Sequence, residues 1–530
     1  MKTIKSFILL IIFLFAAGCE QEVIDLKDPT TPEEPTPDAG TADFSKYVAI
    51  GTSLSAGFQA AALFTDGQNE SVGAILAEQF ATVNSNAAFV QPAINSSNGF
   101  SSSFSNVAGG VFRGRLVLFD PDGAGPRSAG PSPSGSVEST NTCTGVVTPA
   151  IPAPYNTAQN IGEVLTPVTG NFNNFSVPGI VLAQILTPAT GGPTSSNPAF
   201  NPYYRRFASN PSNDGATGST ILGDALGAAP TFFTFEFGYN DVLGYATSGG
   251  VGTVAITPGA SFNGYLGSAI NTILGSNANL KGAIANVPDV TTLPFFKLVA
   301  WNSIAFTAAS QATIDATNGA YAAYNGGLDA AFGGGAISAA ERDKRKISFE
   351  VGKNGVVLTD KTLTNLTGLG LPSIRQATAE DLLTLSAGSV LGTLADCANP
   401  SSVIGVGVAL ADQYVLLPSE ITAIRDAVTS YNASIAAIVA ANPTRLALAD
   451  WNAAYQTMVT NGVVSVDGVL LTPAIAPPNA AISEDAVHPN GRGAAYFANV
   501  FIDAINETFD AAIPKAKVNT YKGTRLPVNP

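Results

Sequence analysis

The sequence predicts an α/β fold, a three-layer α/β/α sandwich built on a central parallel sheet. Four short and nearly continuous apolar runs lie at wide spacing along the chain, at 47–50, 231–237, 280–287 and 446–450. Parallel strands that are buried on both faces have this pattern. Helical segments separate the runs, and this alternation places helices against a parallel sheet. Hydrophobic residues make up 45% of the chain and charged residues 12%, a composition that supports a large folded core.

Local signals support the individual elements. The run 47–50 stops at a Gly-Thr-Ser turn, which is typical of the first strand-to-helix corner of an α/β domain. The next helix is predicted over 71–80 with Ser71 as its N-cap, and a later one over 419–441. A final helix is predicted after Pro489. One face of that helix carries the apolar residues Ala494, Phe497, Ala498, Phe501 and Ile505.

The N-terminus has the features of a secreted, lipid-anchored protein. Two lysines precede an apolar run over 7–17, which is too short to span a bilayer comfortably. Small residues stand directly before Cys19, a pattern that resembles a bacterial lipobox except that Ala16 occupies the position where Leu is usual. The sequence predicts a signal peptide over 1–18 and acylation of Cys19, with an ordinary signal peptide as the alternative.

The stretch that follows is rich in Pro, Thr, Glu and Asp, and it predicts an extended tether over 19–42. Several acyl chains on one cysteine anchor a protein stably to a membrane. We therefore expect a membrane-anchored lipoprotein outside the cytoplasm, on the outer membrane, facing either the periplasm or the cell surface. The net charge of −14 repels phosphate backbones, which excludes nucleic acid as an expected partner.

The rest of the chain is predicted to form one α/β domain in two parts, 43–294 and 416–530. A stretch rich in Ser, Gly, Asn and Pro over 95–145 indicates a loop insertion in the first part. The segment 295–415 departs from strand–helix alternation and contains an Ala-rich helical stretch over 305–332. We interpret it as a large inserted cap or lid.

Two further cysteines, Cys143 and Cys397, lie in loop-like sequence rich in Gly, Ser and Asn. In an oxidising compartment they can pair as a disulfide, and two free thiols are the alternative. The sequence has no CxxC motif, which excludes a thioredoxin-like site and a zinc ribbon.

The candidate chemistry centres on His488, the only histidine of the chain. Histidine is the usual general base near neutral pH, and one histidine cannot build a His-rich metal site. We expect neither a metal nor an organic cofactor. Asp485 precedes His488 by three residues, so a turn can bring its carboxylate to the imidazole. Pro489 disfavours helical backbone at His488, which separates this turn from the helix that follows.

Four short blocks resemble the GDSL/SGNH hydrolase family. They are Gly51-Thr52-Ser53-Leu54, Asn174-Phe175-Ser176-Val177-Pro178-Gly179, Gly238-Tyr239-Asn240-Asp241 and Asp485-Ala486-Val487-His488. Each block is weak evidence alone, but all four occur in the family's order and the last contains the only histidine. The resemblance leaves 295–415 uncovered. It implies the flavodoxin-like fold of that family and an enzyme that acts on esters through a serine.

Each block then suggests a role. Ser53 resembles the family nucleophile, His488 the base, and Asp485 the acid that orients the base. The backbone N–H of Ser53, the N–H of Gly179 and the side-chain amide of Asn240 resemble the donors of the oxyanion hole. These residue types suit acyl transfer, because serine needs a base to take its proton and the oxyanion needs donors aimed at it.

Four residues near the blocks need separate interpretation. Thr52 stands where the family usually has an Asp, which is structural rather than catalytic, and Thr can still hydrogen-bond the turn. Asp241 is expected to be a turn or cap residue, with a catalytic acid as the alternative. Arg205 and Arg206 are expected to form a solvated pair, with binding of an anionic substrate as the alternative.

The sequence therefore predicts a serine esterase or lipase-type hydrolase that cleaves lipid or carbohydrate acyl esters through an acyl-serine intermediate. Two other functions stay open. One is a non-catalytic cell-surface binding lipoprotein on a hydrolase scaffold. The other is an O-acyltransferase that uses the same triad. The intact set of four blocks argues against the binding protein, since a decaying enzyme would be expected to lose its histidine or asparagine first.

Overall fold

The computed structural model describes most of the chain after residue 35. The described residues are 36–85, 88–101, 111–112, 114–121, 127–129, 139–141, 143–151, 159–160, 166–193, 198–252 and 254–527. The chain divides into Met1–Thr36 and one compact unit over Pro37–Pro530. The predicted signal peptide, the acylation site Cys19 and the predicted tether up to residue 35 lie outside the described residues.

The centre of the unit is a four-stranded parallel sheet whose strands lie side by side in chain order. The strands are β1 (Tyr47–Ile50), β2 (Phe232–Glu236), β3 (Lys281–Ala285) and β4 (Leu446–Ala449). Almost every strand residue is buried, as expected for strands that are covered on both faces. The strands coincide with the four apolar runs, so the prediction of an α/β fold with a central parallel sheet is confirmed.

A fifth chain segment extends this sheet beyond β1. Residues 173–177 run parallel to β1, with a bridge between Ala49 and Asn174. The N–H of Ala49 donates to Asn173 O at 2.9 Å, and the N–H of Phe175 donates back to Ala49 O at 2.8 Å. The second of the four sequence blocks therefore lies along the edge of the sheet.

Seven helices follow the strands of the sheet or pack around it. They are α1 (Ser53–Ala56), α2 (Val72–Val83), α3 (Asn240–Thr247), α4 (Gly259–Ser276), α5 (Pro418–Ala440), α6 (Trp451–Asn461) and α7 (Gly491–Phe509). Helix α2 packs with α7, and α4 packs with α5. Ser71 caps α2 as predicted, since its hydroxyl accepts the N–H of Ala74 at 3.1 Å. The five apolar residues predicted for the last helix are all buried in α7.

The folded unit includes residues that were predicted to belong to the tether. Asp38 pairs with Ala512, and the N–H of Thr41 donates to Phe509 O at 2.8 Å. The segment 38–42 is therefore attached to the end of α7. Sequence composition did not reveal this, because the pairing uses backbone atoms.

The segment predicted as a cap carries its own secondary structure. Its main helices are Gln311–Gly333 and Ala339–Arg345. Its paired antiparallel strands are Ile304–Phe306 with Gly352–Asn354, Val357–Thr359 with Ile374–Gln376, and Leu382–Leu383 with Val415–Leu416. Its apolar side chains form three small clusters apart from the main core. The helix predicted from residue 305 begins later because the chain first forms a strand.

The remaining elements are short. The paired strands are Phe58–Gln59 with Ala62–Leu63, Val111–Phe112 with Gln159–Asn160, Val117–Phe119 with Arg127–Ala129, Ser139–Thr140 with Val147–Thr148, and Val463–Val464 with Leu470–Leu471. The short helices are Thr65–Asn69, Pro202–Arg205 and Ile221–Gly227. Among the residues that the structure describes, no helix combines the length and hydrophobicity needed to span a bilayer.

Candidate active site

The first three sequence blocks meet at the carboxyl edge of the sheet. The first block follows β1 and the third follows β2, and these strands are neighbours, with Ile50 opposite Phe235. The second block runs beside β1, and the N–H of Val177 donates to Gly51 O at 3.0 Å. Gly179 follows two residues later. In open parallel sheets this edge is where ligands bind.

The fourth block completes a chain of hydrogen bonds with Ser53. Ser53 Oγ lies 3.0 Å from His488 Nε2, and His488 Nδ1 lies 2.8 Å from Asp485 Oδ2. Because an ionised carboxylate only accepts hydrogen bonds, the proton of the neutral imidazole belongs on Nδ1. The Nε2 atom is then free to accept the Ser53 hydroxyl proton. A serine hydroxyl, an imidazole and a carboxylate in this order can act chemically as nucleophile, base and orienting acid.

Backbone donors hold Asp485 in place. The N–H groups of Val487 and His488 donate to its Oδ1 at 2.9 and 2.8 Å, and the N–H of Ala61 donates to its Oδ2 at 2.8 Å. Burial alone raises the pKa of the Asp485 carboxyl, but the interaction with His488 and these hydrogen bonds outweigh burial and lower the pKa. The carboxylate is therefore ionised at neutral pH and can stabilise an imidazolium.

Two residues that the sequence did not single out, Phe58 and Ser483, contact the turn that contains Asp485 and His488. Phe58 packs edge-on against His488, with ring centroids 4.9 Å apart. Ser483 Oγ donates to Asp485 Oδ1 at 3.1 Å and accepts the N–H of Ala60 at 2.9 Å. These residues carry no motif, so their roles depend on how the loop after α1 folds against the Asp485 turn.

Gly179 lies in a loop beside the start of α3, where Asn240 is the first helical residue. Gly179 is exposed, has a φ of 76°, and has open space where a side chain would project. The Asn240 Nδ2 atom donates to Ile180 O at 2.9 Å, which ties the start of α3 to the residue after Gly179. An amide nitrogen carries two hydrogens, so one is used in this contact and the second can serve a ligand.

Asp241 stabilises this loop. It is buried in the first turn of α3, and its Oδ2 accepts the N–H of Leu182 at 3.1 Å. Burial raises the pKa of the Asp241 carboxyl. Its hydrogen bond fits the interpretation as a turn residue.

The expected solvated pair of arginines is wrong. Arg206 is only 4% exposed, and its guanidinium donates to the carbonyl oxygens of Pro92 and Ala93. Arg205 donates to Gly191 O at 2.6 Å. Both arginines hold loops together through backbone carbonyls, which charge patterns in the sequence do not reveal.

Glu236 is the most significant residue that sequence reasoning missed. It is the last residue of β2, 3% exposed, and its Oε1 accepts the N–H of Thr52 at 2.6 Å. The Thr52 hydroxyl donates to Oε2 at 2.9 Å, and the N–H of Ser55 donates to Oε1 at 3.3 Å. Burial raises the pKa of Glu236 from 4.5 to about 7, although these hydrogen bonds lower it. A single acidic residue in an otherwise uncharged strand was the available signal.

Cys143 and Cys397 form a disulfide, with Cα atoms 4.9 Å apart. The bond joins the loop insertion of the first part of the domain to the segment predicted as a cap.

In the described ranges, no group of three or more His, Cys, Asp or Glu side chains is arranged to hold a metal ion. Comparisons with protein-family models, with curated proteins and with solved structures find no match to this chain. The basis for a functional assignment is therefore the geometry of the site itself.

Proposed function

We propose that this chain is a serine esterase that hydrolyses carboxylic esters through an acyl-serine intermediate. The observation that carries the proposal is the continuous hydrogen-bond chain from Ser53 Oγ through His488 to the buried Asp485. A buried carboxylate, an imidazole and a serine hydroxyl in this order form a charge-stabilised base next to a nucleophile.

In the proposed reaction, His488 Nε2 takes the Ser53 proton while Oγ attacks the ester carbonyl. The Asp485 carboxylate stabilises the imidazolium. The tetrahedral intermediate collapses, and His488 gives the proton to the departing alcohol. A water molecule then attacks the acyl-serine, again with His488 as the base, and releases the carboxylic acid and free Ser53.

The oxyanion of both intermediates would be held by the N–H of Ser53, the N–H of Gly179 and the second amide hydrogen of Asn240. The contact from Asn240 to Ile180 supports this assignment, because it keeps the amide beside the Gly179 loop. One such donor is worth about 100- to 1000-fold in kcat in other serine hydrolases.

The fold supports membership in the GDSL/SGNH hydrolase family. When the segment 173–177 is counted as a strand, the order of the five parallel strands across the sheet is second, first, third, fourth, fifth in chain order. Flavodoxin-like folds have this order. The meeting of the first three blocks at the carboxyl edge of this sheet, with His488 of the fourth block next to Ser53, supports the same proposal.

The proposed setting is the outer membrane, with the chain anchored through acylated Cys19 and facing the periplasm or the cell surface. The disulfide between Cys143 and Cys397 supports an oxidising compartment. Lipid esters and acyl groups on carbohydrates are the substrate classes that fit this setting.

Ester turnover tests the proposed function. The protein should hydrolyse p-nitrophenyl acetate, and Ser53→Ala and His488→Ala should each lower kcat by about 1000-fold or more while remaining folded. Equal turnover by the wild type and both variants would contradict the proposal. A folded wild type that hydrolyses no acetyl or longer-chain ester would favour the binding-protein alternative. Faster acyl release on addition of a sugar acceptor, with a new sugar ester as product, would favour the acyltransferase.

A further inference from the structure

We propose that Glu236 is a positioning residue for the nucleophile, and that its carboxylate caps the short helix α1 from the neighbouring strand. This inference rests on the proposed function, because it concerns how Ser53 is held. Ser53 is the first residue of α1, so any movement of the turn before it moves Oγ relative to His488.

The hydrogen-bond acceptor at the start of α1 comes from a residue outside the helix and its N-cap. At most helix starts, the N-cap side chain accepts an N–H from the second or third helical residue. Thr52 occupies the N-cap position here, but its side chain makes no such bond. The third residue, Ser55, instead donates its N–H to Glu236 at 3.3 Å. Glu236 therefore supplies the acceptor that the N-cap side chain normally provides.

Thr52 also donates to the Glu236 carboxylate, through both its backbone N–H and its side-chain hydroxyl. Its N–H donates to Glu236 Oε1 at 2.6 Å, and its hydroxyl donates to Oε2 at 2.9 Å. Both carboxylate oxygens are thus engaged with the turn that leads into Ser53. Bonds to two atoms of Thr52 and one of Ser55 fix the residues on both sides of the nucleophile.

Gly51 lets the carboxylate come this close. A Cβ atom on Gly51 would lie 2.6 Å from Glu236 Oε1, which is shorter than any normal contact. The arrangement also fits the absence of an acid at position 52. A carboxylate there would lie against the Glu236 carboxylate, and two like charges in a buried site repel. The carboxylate that the turn needs comes from β2 instead.

A positioning role has large consequences for rate. The reacting groups must be held close to their productive geometry, and a displacement of about 1 Å can cost 100-fold. Loss of the cap should therefore lower kcat and leave substrate binding nearly unchanged.

Three substitutions of Glu236 test separately whether position 236 needs a negative charge, a side chain of this length, or only a hydrogen-bond acceptor. Glu236→Gln keeps an oxygen that can accept both N–H bonds and an amide that can donate to the Thr52 hydroxyl. Glu236→Leu has similar size but no acceptor. Glu236→Asp keeps the charge and retracts it by about one carbon–carbon bond, roughly 1.5 Å. Glu420→Leu is the control, because Glu420 is also buried and accepts the Leu417 N–H at 2.8 Å at the start of α5. Glu420 additionally pairs with Lys361, so its loss should destabilise the fold at least as much without touching α1.

The experiment measures hydrogen exchange of the peptide over 50–57 together with kcat and KM for p-nitrophenyl acetate, all on the full chain. For Glu236→Leu we expect exchange in this peptide at least ~10-fold faster, kcat about 100-fold lower, and KM within about threefold of wild type. Glu236→Gln should stay within about threefold of wild type in exchange and kcat. Glu420→Leu should leave exchange in this peptide and kcat within about twofold of wild type, because Glu420 accepts its hydrogen bond at the start of α5 and not at α1.

Several outcomes would overturn the proposal. A folded Glu236→Leu protein with wild-type exchange over 50–57 would show that the carboxylate does not cap α1. Faster exchange with unchanged kcat would make Glu236 structural only. If Glu236→Leu does not fold, the Asp and Gln variants decide, since the proposal requires Gln to retain more kcat than Asp. A wild type without esterase activity would instead contradict the proposed function, while the exchange measurement would still test the cap.

Discussion

At the scale of single residues, the site depends on two buried carboxylates in opposite electrostatic environments. Asp485 accepts hydrogen bonds on both oxygens, including one from the His488 ring, and its pKa is lowered below the ordinary value. Glu236 also accepts several hydrogen bonds, but these donors are the uncharged Thr52 and Ser55, and burial raises its pKa to about 7. Asp485 therefore suits stabilisation of a positive charge on His488, whereas Glu236 suits a role as a hydrogen-bond acceptor that need not be fully charged.

The raised pKa of Glu236 makes stability depend on pH. In the folded protein the carboxyl holds its proton up to a pH of about 7, whereas its ordinary pKa is 4.5. Between these values the folded state binds more protons than the unfolded state, so this group's contribution to stability is complete below pH 4.5 and is lost as the pH rises through 7. Thr52 and Ser55 donate to the carboxyl, and Glu236 is one of the acidic groups that raise the pKa of the buried Tyr239 hydroxyl.

Glu236→Gln removes this titration, so the variant should gain stability relative to wild type as the pH rises. The change in the difference between the two proteins should be about 3 kcal/mol from pH 4.5 to pH 8. Urea unfolding of both proteins across this range measures it. A difference that stays constant with pH would mean that Glu236 is ionised throughout or exposed to solvent.

At the scale of elements, the strand-to-helix corner between β1 and α1 leaves no room for a side chain at Gly51. Gly51→Ala should push the Glu236 carboxylate away from Thr52 and destabilise the protein by about 1–3 kcal/mol. Ester turnover should fall with it.

Gly267→Ala is the control for this substitution. Gly267 lies inside α4, and nothing is within 4 Å of the position its Cβ would take. Alanine should therefore stabilise that helix by up to about 1 kcal/mol. Thermal unfolding compares the two variants, and equal effects of the two substitutions would contradict the tight contact at the corner.

The elements also show which parts of the fold could be predicted. The four strands, α2 and α7 carry strong local signals, because their burial imposes apolar runs or a helical stripe on the sequence. The edge segment 173–177 could not be recognised as part of the sheet. It pairs through a few backbone bonds, and its sequence contains a family motif but no apolar run. The burial of Arg206 was likewise hidden, because its partners are backbone carbonyls that any sequence supplies.

The residues of the candidate active site also divide into those that could be predicted from the sequence and those that could not. Ser53, His488 and Asp485 could be located because their blocks keep a recognisable order and the chain has one histidine. Glu236 and Ser483 could not be assigned roles, because each has a partner that is distant in sequence, Thr52 for Glu236 and Ala60 for Ser483. Thr52 was expected to hydrogen-bond its own turn, but its hydroxyl donates instead to Glu236 on the neighbouring strand. That partner became evident only from the adjacency of β1 and β2.

At the scale of the whole molecule, the disulfide links two insertions through cysteines that are 254 residues apart in sequence. Closing a long loop removes entropy from the unfolded chain, and native disulfides typically contribute about 2–5 kcal/mol. Cys143→Ser with Cys397→Ser should lower the free energy of unfolding by that amount. Because the bond lies outside the sheet and its site residues, kcat for a small ester should change by less than about threefold.

Denaturant unfolding and p-nitrophenyl acetate turnover of the double variant test this expectation. Non-reducing peptide mapping of the wild type provides the control. Recovery of both cysteines as free thiols from freshly purified protein would contradict the bond itself, and unchanged stability would contradict its contribution.

The central claim is that Ser53 is a nucleophile activated by His488, and covalent labelling tests it most directly. A fluorophosphonate probe reacts with an activated serine and mimics the tetrahedral intermediate. Peptide mass mapping after labelling should find the adduct on Ser53 in wild type, and labelling of His488→Ala should be slower by about 1000-fold or more. An unlabelled Ser53 in folded wild type, or equal labelling of the histidine variant, would contradict the account.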